Sequence, residues 1–379
     1  MQELGLYVHI PFCAQKCLYC DFLSFAHTDA ALREAYTRAL VAEIRRQGTF
    51  YDNRFCVNSV FLGGGTPSLL SAEQLSRILT ALSRAFPQAR DCETTMEANP
   101  DSLDARKLDA ALSRGVNRLS MGVQALSDPL LRTLGRLHTR AGFLASHEAA
   151  RRAGFRNINL DLMFAFPTQT LADWRETLAE AIDLRPAHLS FYSLQPEEGT
   201  PMREALRAGK LVAVDEDTDR EMYHYAVRTL SGAGYAHYEI SNAARPGFRC
   251  RHNLKYWSMR PYLGLGLGAH SYADGVRFSN TEDLRAYLAA ADEGAPRRAH
   301  AHLCARDERI AEYMFLGLRR IAGVCEAEYR RTFGEDLRAR FGGEIDRLTG
   351  EGLLTRADGA LRLTARGLDM SNRVFAAFV

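Results

Sequence analysis

The feature that most constrains this chain is an alternation: short β-type runs are each followed by an amphipathic stretch, six times over before about residue 235. Strands are expected at Leu4–Ile10, Val57–Leu62, Glu93–Ala98, Arg118–Gly122, Asn157–Met163 and His188–Leu194. Helices are expected at Asp29–Arg46, Ser71–Ala85, Ser102–Arg114, Ala141–Ala153 and Leu171–Leu184. Strand then helix, repeated, means parallel strands joined by crossover helices. An open sheet and a barrel both fit that count. Polar residues gather where each strand gives way to its loop, at His9, Gly63–Thr66, Glu97, Gln124 and Asp161, the face on which both architectures carry their chemistry. Six units point to an incomplete barrel, an α/β fold of partial (β/α)6 TIM type.

Three regions are expected: a core over 1–235, a connecting region over 236–300 and a C-terminal domain over 301–379. Tyr235–Tyr272 is rich in Gly, His and aromatic residues, needs tight turns, and is expected to wrap one end of the barrel. Beyond it, helices at Asp307–Ile321, Glu326–Phe333 and Asp336–Thr349 precede two short strands joined by Asp358–Gly359 and a last helix near Arg366–Phe378. That pattern is a winged-helix-like helical domain. Such a shape often binds DNA, but this segment has no strong basic surplus, and the whole chain carries 48 Lys and Arg against 46 Asp and Glu. No global field draws it to nucleic acid or anionic lipid. MQELGLYVHIPFC lacks the marks of a signal peptide, and no run approaches the ~20 apolar residues of a membrane-spanning helix. A cytoplasmic location is expected.

Of the eight cysteines, Cys56, Cys92, Cys250, Cys304 and Cys325 are scattered and read as ordinary small buried residues. Cys13, Cys17 and Cys20 form C-x-x-x-C-x-x-C within HIPFCAQKCLYCDF, directly after the first strand. Thiolates are the soft ligands favoured by iron–sulfur clusters and zinc, and this spacing lets one loop enclose a metal centre. Structural zinc wants four ligands, which His9 or Asp21 would have to complete. Three thiolates on a four-iron cluster leave one iron open to another ligand.

This loop resembles that of the radical SAM proteins, whose [4Fe-4S] cluster binds S-adenosylmethionine (SAM) at the open iron. Tyr19, just before the third cysteine, matches the aromatic residue that lies near adenine in that superfamily. Gly63-Gly64-Gly65-Thr66-Pro67 occupies the place of the glycine-rich element that receives the SAM amino group. YVHIPFC, FLGGGTPSLL, NRLSMGVQ, YEISN, HNLKYW, YLGLGLGAHSY and LTARGLDMSNRVF are similar to the branch containing the oxygen-independent coproporphyrinogen III dehydrogenases (HemN) and their HemW paralogues. The resemblance implies SAM contacts at Tyr7, Gly64, Gly65, Thr66, Glu97, Gln124, Arg136 and Asp161, with weaker matches at Gln195 and His270. Carboxylates there suit ribose hydroxyls and the sulfonium, and a guanidinium suits the SAM carboxylate.

HemN-type chains have a further cysteine two residues after the third and a long N-terminal extension. Here Phe22 stands at that position and Cys13 arrives almost at once. Both features favour the HemW branch, haem chaperones that bind haem and deliver it to acceptor haemoproteins of respiration. That resemblance implies haem as a cofactor, with His252 of the H-N-x-x-Y-W motif in its binding. From chemistry alone, a histidine that fixes its loop by hydrogen bonds is an equal reading. A membrane-associated partner, reached without an anchor of the chain's own, stays open, and nucleic acid is not expected. Radical decarboxylation of coproporphyrinogen III is the competing function. The family's usual glycines are replaced by Ala165 and Thr168, and SLQPEEGTP matches only approximately, which puts the shape of the substrate-side pocket in doubt.

Overall fold

The computed structural model describes residues 1–51, 54–293 and 298–379. Its core is six parallel strands: β1 (Gln2–Ile10), β2 (Phe55–Gly64), β3 (Gln88–Ala98), β4 (Arg118–Gln124), β5 (Asn157–Phe164) and β6 (His188–Ser193). The crossovers are α1 (Ala30–Phe50), α2 (Ala72–Ala85), α3 (Ala105–Ser113), the pair α4 (Asp128–Thr133) and α5 (Arg140–Ala153), and α6 (Leu171–Asp183). After β6 come α7 (Pro201–Arg207) and α8 (Glu216–Gly232). The expected parallel architecture is present, and β3 runs back to Gln88, earlier than its apolar run suggested.

Period two in the strands decides which groups line the lumen. On β1, Leu4, Leu6, Val8 and Ile10 are buried in the apolar core, while Tyr7 on the opposite face borders an interior cavity. The same alternation turns Phe61 inward on β2, Glu97 on β3, Arg118 and Ser120 on β4, Asn159 and Asp161 on β5, and Ser190 and Tyr192 on β6. Helix starts are fixed locally. Ser71 and Gln74 form a capping box on α2, as Thr170 and Asp173 do on α6, each cap contributing about 1 kcal/mol.

The connecting region does more than wrap one end. It supplies β7 (Ala236–Glu239), β8 (Asn242–Ala244), α9 (Arg251–Trp257), β9 (Tyr262–Leu265), β10 (His270–Ala273), β11 (Val276–Asn280), α10 (Leu284–Glu293) and β12 (Arg298–Leu303). β9 pairs parallel with β1, and β8 pairs antiparallel with β6. The result is an open 12-stranded sheet in the order β12-β11-β10-β9-β1-β2-β3-β4-β5-β6-β8-β7. Short α9 packs across the N-terminal ends of β1 and β2, where a Cβ on Gly5 would lie 2.8 Å from Lys255 Cδ and 3.3 Å from the His252 ring.

The C-terminal unit has α11 (Arg306–Leu318), α12 (Glu326–Phe333) and α13 (Leu337–Gly350). Its three-stranded sheet is β13 (Val324–Cys325), β14 (Leu354–Ala357) and β15 (Ala360–Leu363). A separate apolar core including Ile310, Met314, Leu348, Leu361 and Val374 holds it together. The wing therefore has a third strand beyond the expected hairpin. The expected last helix is two, α14 (Ala365–Asp369) and α15 (Ser371–Ala376), because Met370 between them has non-helical φ −109° and ψ 27°. No helix among the described residues is long and apolar enough to cross a membrane.

Candidate functional site

The C-terminal ends of the strands form a rim over the lumen, and the cysteine loop lies on it. Cys13, Cys17 and Cys20 are all free and half-buried. Phe12–Cys13 pairs with Phe25–Ala26, which folds the loop back on itself. Leu18 N–H donates to Leu134 O at 3.1 Å, and Met202 N–H donates to Leu18 O at 2.9 Å. Leu18 and Tyr19 pack on an apolar patch of Leu131, Leu134, Met163, Phe166 and Leu194. One side of the loop is thus anchored and the other left open, where Phe22 is 63% exposed. Burial, reinforced by the neighbouring thiols, pushes Cys20 up to about 11 and raises Cys13 as well. An iron bound there would reverse that preference, since a metal takes the thiolate.

The glycine run is fitted against this loop. Gly65 N–H donates to Ile10 O at 2.9 Å, Thr66 N–H to Phe12 O at 2.7 Å, and Gly64 N–H to Glu97 Oε2 at 3.1 Å. A Cβ on Gly65 would lie 2.7 Å from Phe12 O, and Gly64, at φ +107°, would drive one into the His9 ring. The glycines are needed first for the close approach of β1 and β2. These N–H groups are thereby spent on the loop and on Glu97.

Arg136 joins the loop to the strands. Its guanidinium donates to Asn99 Oδ1 at 2.7 Å, to Gly122 O at 2.6 Å and toward Cys17 Sγ at 3.5 Å, while its buried Nε has no partner. Asn99 Nδ2 in turn donates to Thr66 Oγ1 at 3.1 Å, and Thr66 Oγ1 donates toward Cys13 Sγ at 3.7 Å. Gln124 stands beside Gly122 and Arg136 with φ +65°, a left-handed conformation that costs a non-glycine residue about 1–2 kcal/mol. A bulge between Gly122 and Gln124 shifts the register of β4 on β5, so that Gly122 faces Asp161 and Gln124 faces Leu162.

Below the rim lies an interior cavity of about 210 Å³. Tyr7, Glu97 and Asp161 border it from above, with Arg118, Ser120 and Asn159 beside them. Burial, then the Asp161 carboxylate, raises Glu97 to about 8. Asp161 is also raised by burial, against the pull of Ser120 Oγ at 2.9 Å and Asn159 Nδ2 at 2.8 Å. Arg118, 1% exposed, is the cation that faces these acids. His9 is committed elsewhere: Nδ1 meets Tyr7 Oη at 3.0 Å and Nε2 meets Leu23 O at 2.9 Å, so it braces the loop after Cys20.

His252 lies at the other end of the lumen. It is 1% exposed, with Nδ1 at 3.0 Å from Ser59 Oγ and Nε2 at 2.9 Å from Tyr256 Oη. Burial, with Lys255 and Arg118 nearby, lowers it to about 3, so it is neutral. The buried Glu93 carboxylate accepts from Arg251 N–H and His252 N–H, both at 3.1 Å, and fixes the first turn of α9. The H-N-x-x-Y-W motif therefore floors the barrel and does not adjoin the cysteines, and in this arrangement both His252 ring nitrogens are occupied. Gln195 and His270 are exposed, each beside a strand end, with no side-chain hydrogen bond among the described residues.

Sequence reading passed over Asn99, Arg118, Ser120, Asn159 and Tyr192, of which all but Asn99 line the cavity. Four of them sit at period two with their strand partners, as in Arg118/Ser120/Gly122 and Asn159/Asp161, and that spacing is the signal that would have found them.

Comparison with known proteins follows the same division. The Radical SAM superfamily matches residues 7–181 and the HemN C-terminal domain matches residues 305–370. The chain is 37% identical over 378 residues to the heme chaperone HemW of Bacillus subtilis, covering 98% of each. It is 35% identical over 373 residues to the heme chaperone HemW of Lactococcus lactis, covering 98% of this chain and 96% of that one. Among solved structures, the coproporphyrinogen III oxidase HemN from Escherichia coli superimposes with a TM-score of 0.86 at 24% identity, covering 100% of this chain and 90% of the other. That last likeness speaks to the fold alone.

Proposed function

The chain belongs to the heme chaperone HemW family within the radical SAM superfamily, and from that premise we propose that it binds haem and hands it to acceptor haemoproteins in the cytoplasm. The observation that carries this reading is a likeness to the haem chaperones that runs through barrel and C-terminal unit alike. In this reading residues 1–235 hold the cofactors, 236–300 close the barrel floor and extend the sheet, and 301–379 form a further unit on them.

Cys13, Cys17 and Cys20 are the residues to hold a [4Fe-4S] cluster: three free thiols on one loop, next to a guanidinium whose buried Nε lacks a partner. When bound, that cluster supplies an open iron to SAM and an electron toward its sulfonium. Arg136 and Gln124 are poised to receive the SAM carboxylate, the carbonyls of Gly64 and Gly65 with Thr66 the amino group, and Glu97 and Asp161 the ribose and sulfonium. Tyr7 and Tyr19 close the pocket beside them, and Gln195 and His270 join the set only through the family resemblance.

A lumen cavity of about 210 Å³ falls below the roughly 300–1,000 Å³ of ordinary organic-ligand sites. In this reading the tetrapyrrole binds outside that cavity. His252 then serves haem as a positioning residue that holds Tyr256 and the floor. A haem titration of wild type, His252→Ala and His252→Gln tests this. The expected result is weaker binding in His252→Ala, partial rescue in His252→Gln and unchanged Soret and visible band positions of the bound haem. A shift of those bands to another ligand set would make His252 an iron ligand. Absence of saturable haem binding in the wild type would end the chaperone reading.

A further inference from the structure

On the outside of the barrel, away from the rim, α1 and α2 enclose a groove of about 1010 Å³. Five guanidinium groups surround it: Arg38 and Arg45 from α1, Arg77 and Arg84 from α2, and Arg114 from the end of α3. All five are exposed, and no carboxylate is among the lining residues. Among the described residues only Arg77 has an ion pair, to Glu34 at 2.5 Å, with both side chains 42% exposed, a contact worth ~0–1 kcal/mol and easily exchanged. The whole chain has a formal net charge of only +2, so this is a local concentration of positive charge.

The spacing of the lining residues adds a shape to that charge. On α1 they fall at 38, 41, 42, 45, 48 and 49, and on α2 at 76, 77, 80, 81, 84 and 85. Each set is one helical face, about 16 Å long on α1 and about 13 Å on α2 at ~1.5 Å per residue. Between the arginines the floor is small and apolar: Val41, Ala42, Gly48, Ala81 and Ala85. Gly48 permits this closeness, since a Cβ there would lie 2.5 Å from the Ala85 carbonyl oxygen.

We propose that this groove docks an acidic amphipathic helix of a partner protein. Small residues along two adjacent helices let a third helix settle between them, with its apolar stripe on the alanines and its carboxylates against the arginines. No aromatic side chain lines the groove, so it gives nucleic-acid bases no stacking platform. It is concave and has no large apolar side chain to insert into a bilayer.

The test uses cluster-loaded protein and a fluorescent four-turn peptide with an Ala/Leu face flanked by Glu. Anisotropy should show saturable binding that weakens with salt and falls at least tenfold in Arg45→Glu/Arg84→Glu, with iron content and far-UV circular dichroism unchanged. A peptide carrying Lys in place of Glu should prefer that variant over wild type. Three results would overturn the proposal: no binding of the acidic peptide, equal binding by the variant, or equal binding of a scrambled peptide of the same charge. Groove-dependent binding of phosphatidylglycerol vesicles or single-stranded DNA without the peptide would replace the helix by that ligand. None of these readouts depends on haem.

Discussion

The two ends of the barrel are built on opposite rules. At the rim, loops carry the functional groups, the thiols are half-exposed, and Arg136 keeps an unpartnered nitrogen. At the floor, α9 seals the lumen, Glu93 holds two of its N–H groups, and both His252 nitrogens are engaged. Hydrogen bonding at the floor is not complete either, because buried Arg118 Nε and Trp257 Nε1 also lack partners among the described residues; what separates the two ends is a loop of half-exposed thiols against a lumen end covered by α9.

Single substitutions should break this contrast in different currencies. Cys17→Ser should remove the cluster altogether, read as loss of iron and sulfide, while far-UV circular dichroism stays native. Retention of normal iron and sulfide would refute the three-thiolate site. Glu93→Ala should act on stability instead, by about 3 kcal/mol in urea unfolding, because it strands the first turn of α9 and uncovers buried Arg118. A loss below ~1 kcal/mol would mean that the floor is not sealed by this carboxylate.

Glu97 gives a pH-dependent effect with a sign that can be checked. Its folded value of about 8 lies above the ordinary 4.5, so the fold binds its proton more tightly than the unfolded chain does. That contribution is fully present below about 4.5 and is lost as pH rises through about 8. Cofactor-free protein should therefore lose about 3 kcal/mol between pH 5 and 8 through this group, and Glu97→Gln should flatten that slope. An unaltered slope would show that Glu97 is not held protonated.

The smallest effect concerns the loop after β5. Ala165 and Thr168 have φ +57° and +72°, a left-handed backbone that glycine adopts freely and that is a true outlier for a β-branched residue. The substitutions that put the pocket's shape in doubt thus leave the backbone in the glycine conformation, under strain. Thr168→Gly should raise stability by about 0.5–1 kcal/mol, the relief of strain being partly offset by the freer unfolded chain. A loss of stability would show that the Thr168 side chain does more than tolerate its position.

The sequence made the rim legible, because rim residues announce themselves by type: cysteines at close spacing, a triple glycine, a charged residue after each apolar run. It made the parallel core legible through the length and spacing of those runs. The floor was harder to read. His252 belongs to a motif that looks like a ligand site, and only tertiary pairing with Ser59, 193 residues away in the chain, reveals a plug. Arg118 opens a strand and reads as a solvated end until α9 covers it. Strands as short as β8, β9 and β13 carry too few residues to show a period, and their pairing depends on edges supplied by β6, β1 and β15.

The most direct test of carriage against catalysis is an anaerobic assay of cluster-loaded protein with coproporphyrinogen III, SAM and a strong reductant, followed by product analysis. A haem carrier should form no protoporphyrinogen over many equivalents of substrate, while the same preparation transfers bound haem to an apo-haemoprotein. Sustained multiple-turnover formation of protoporphyrinogen would contradict that account.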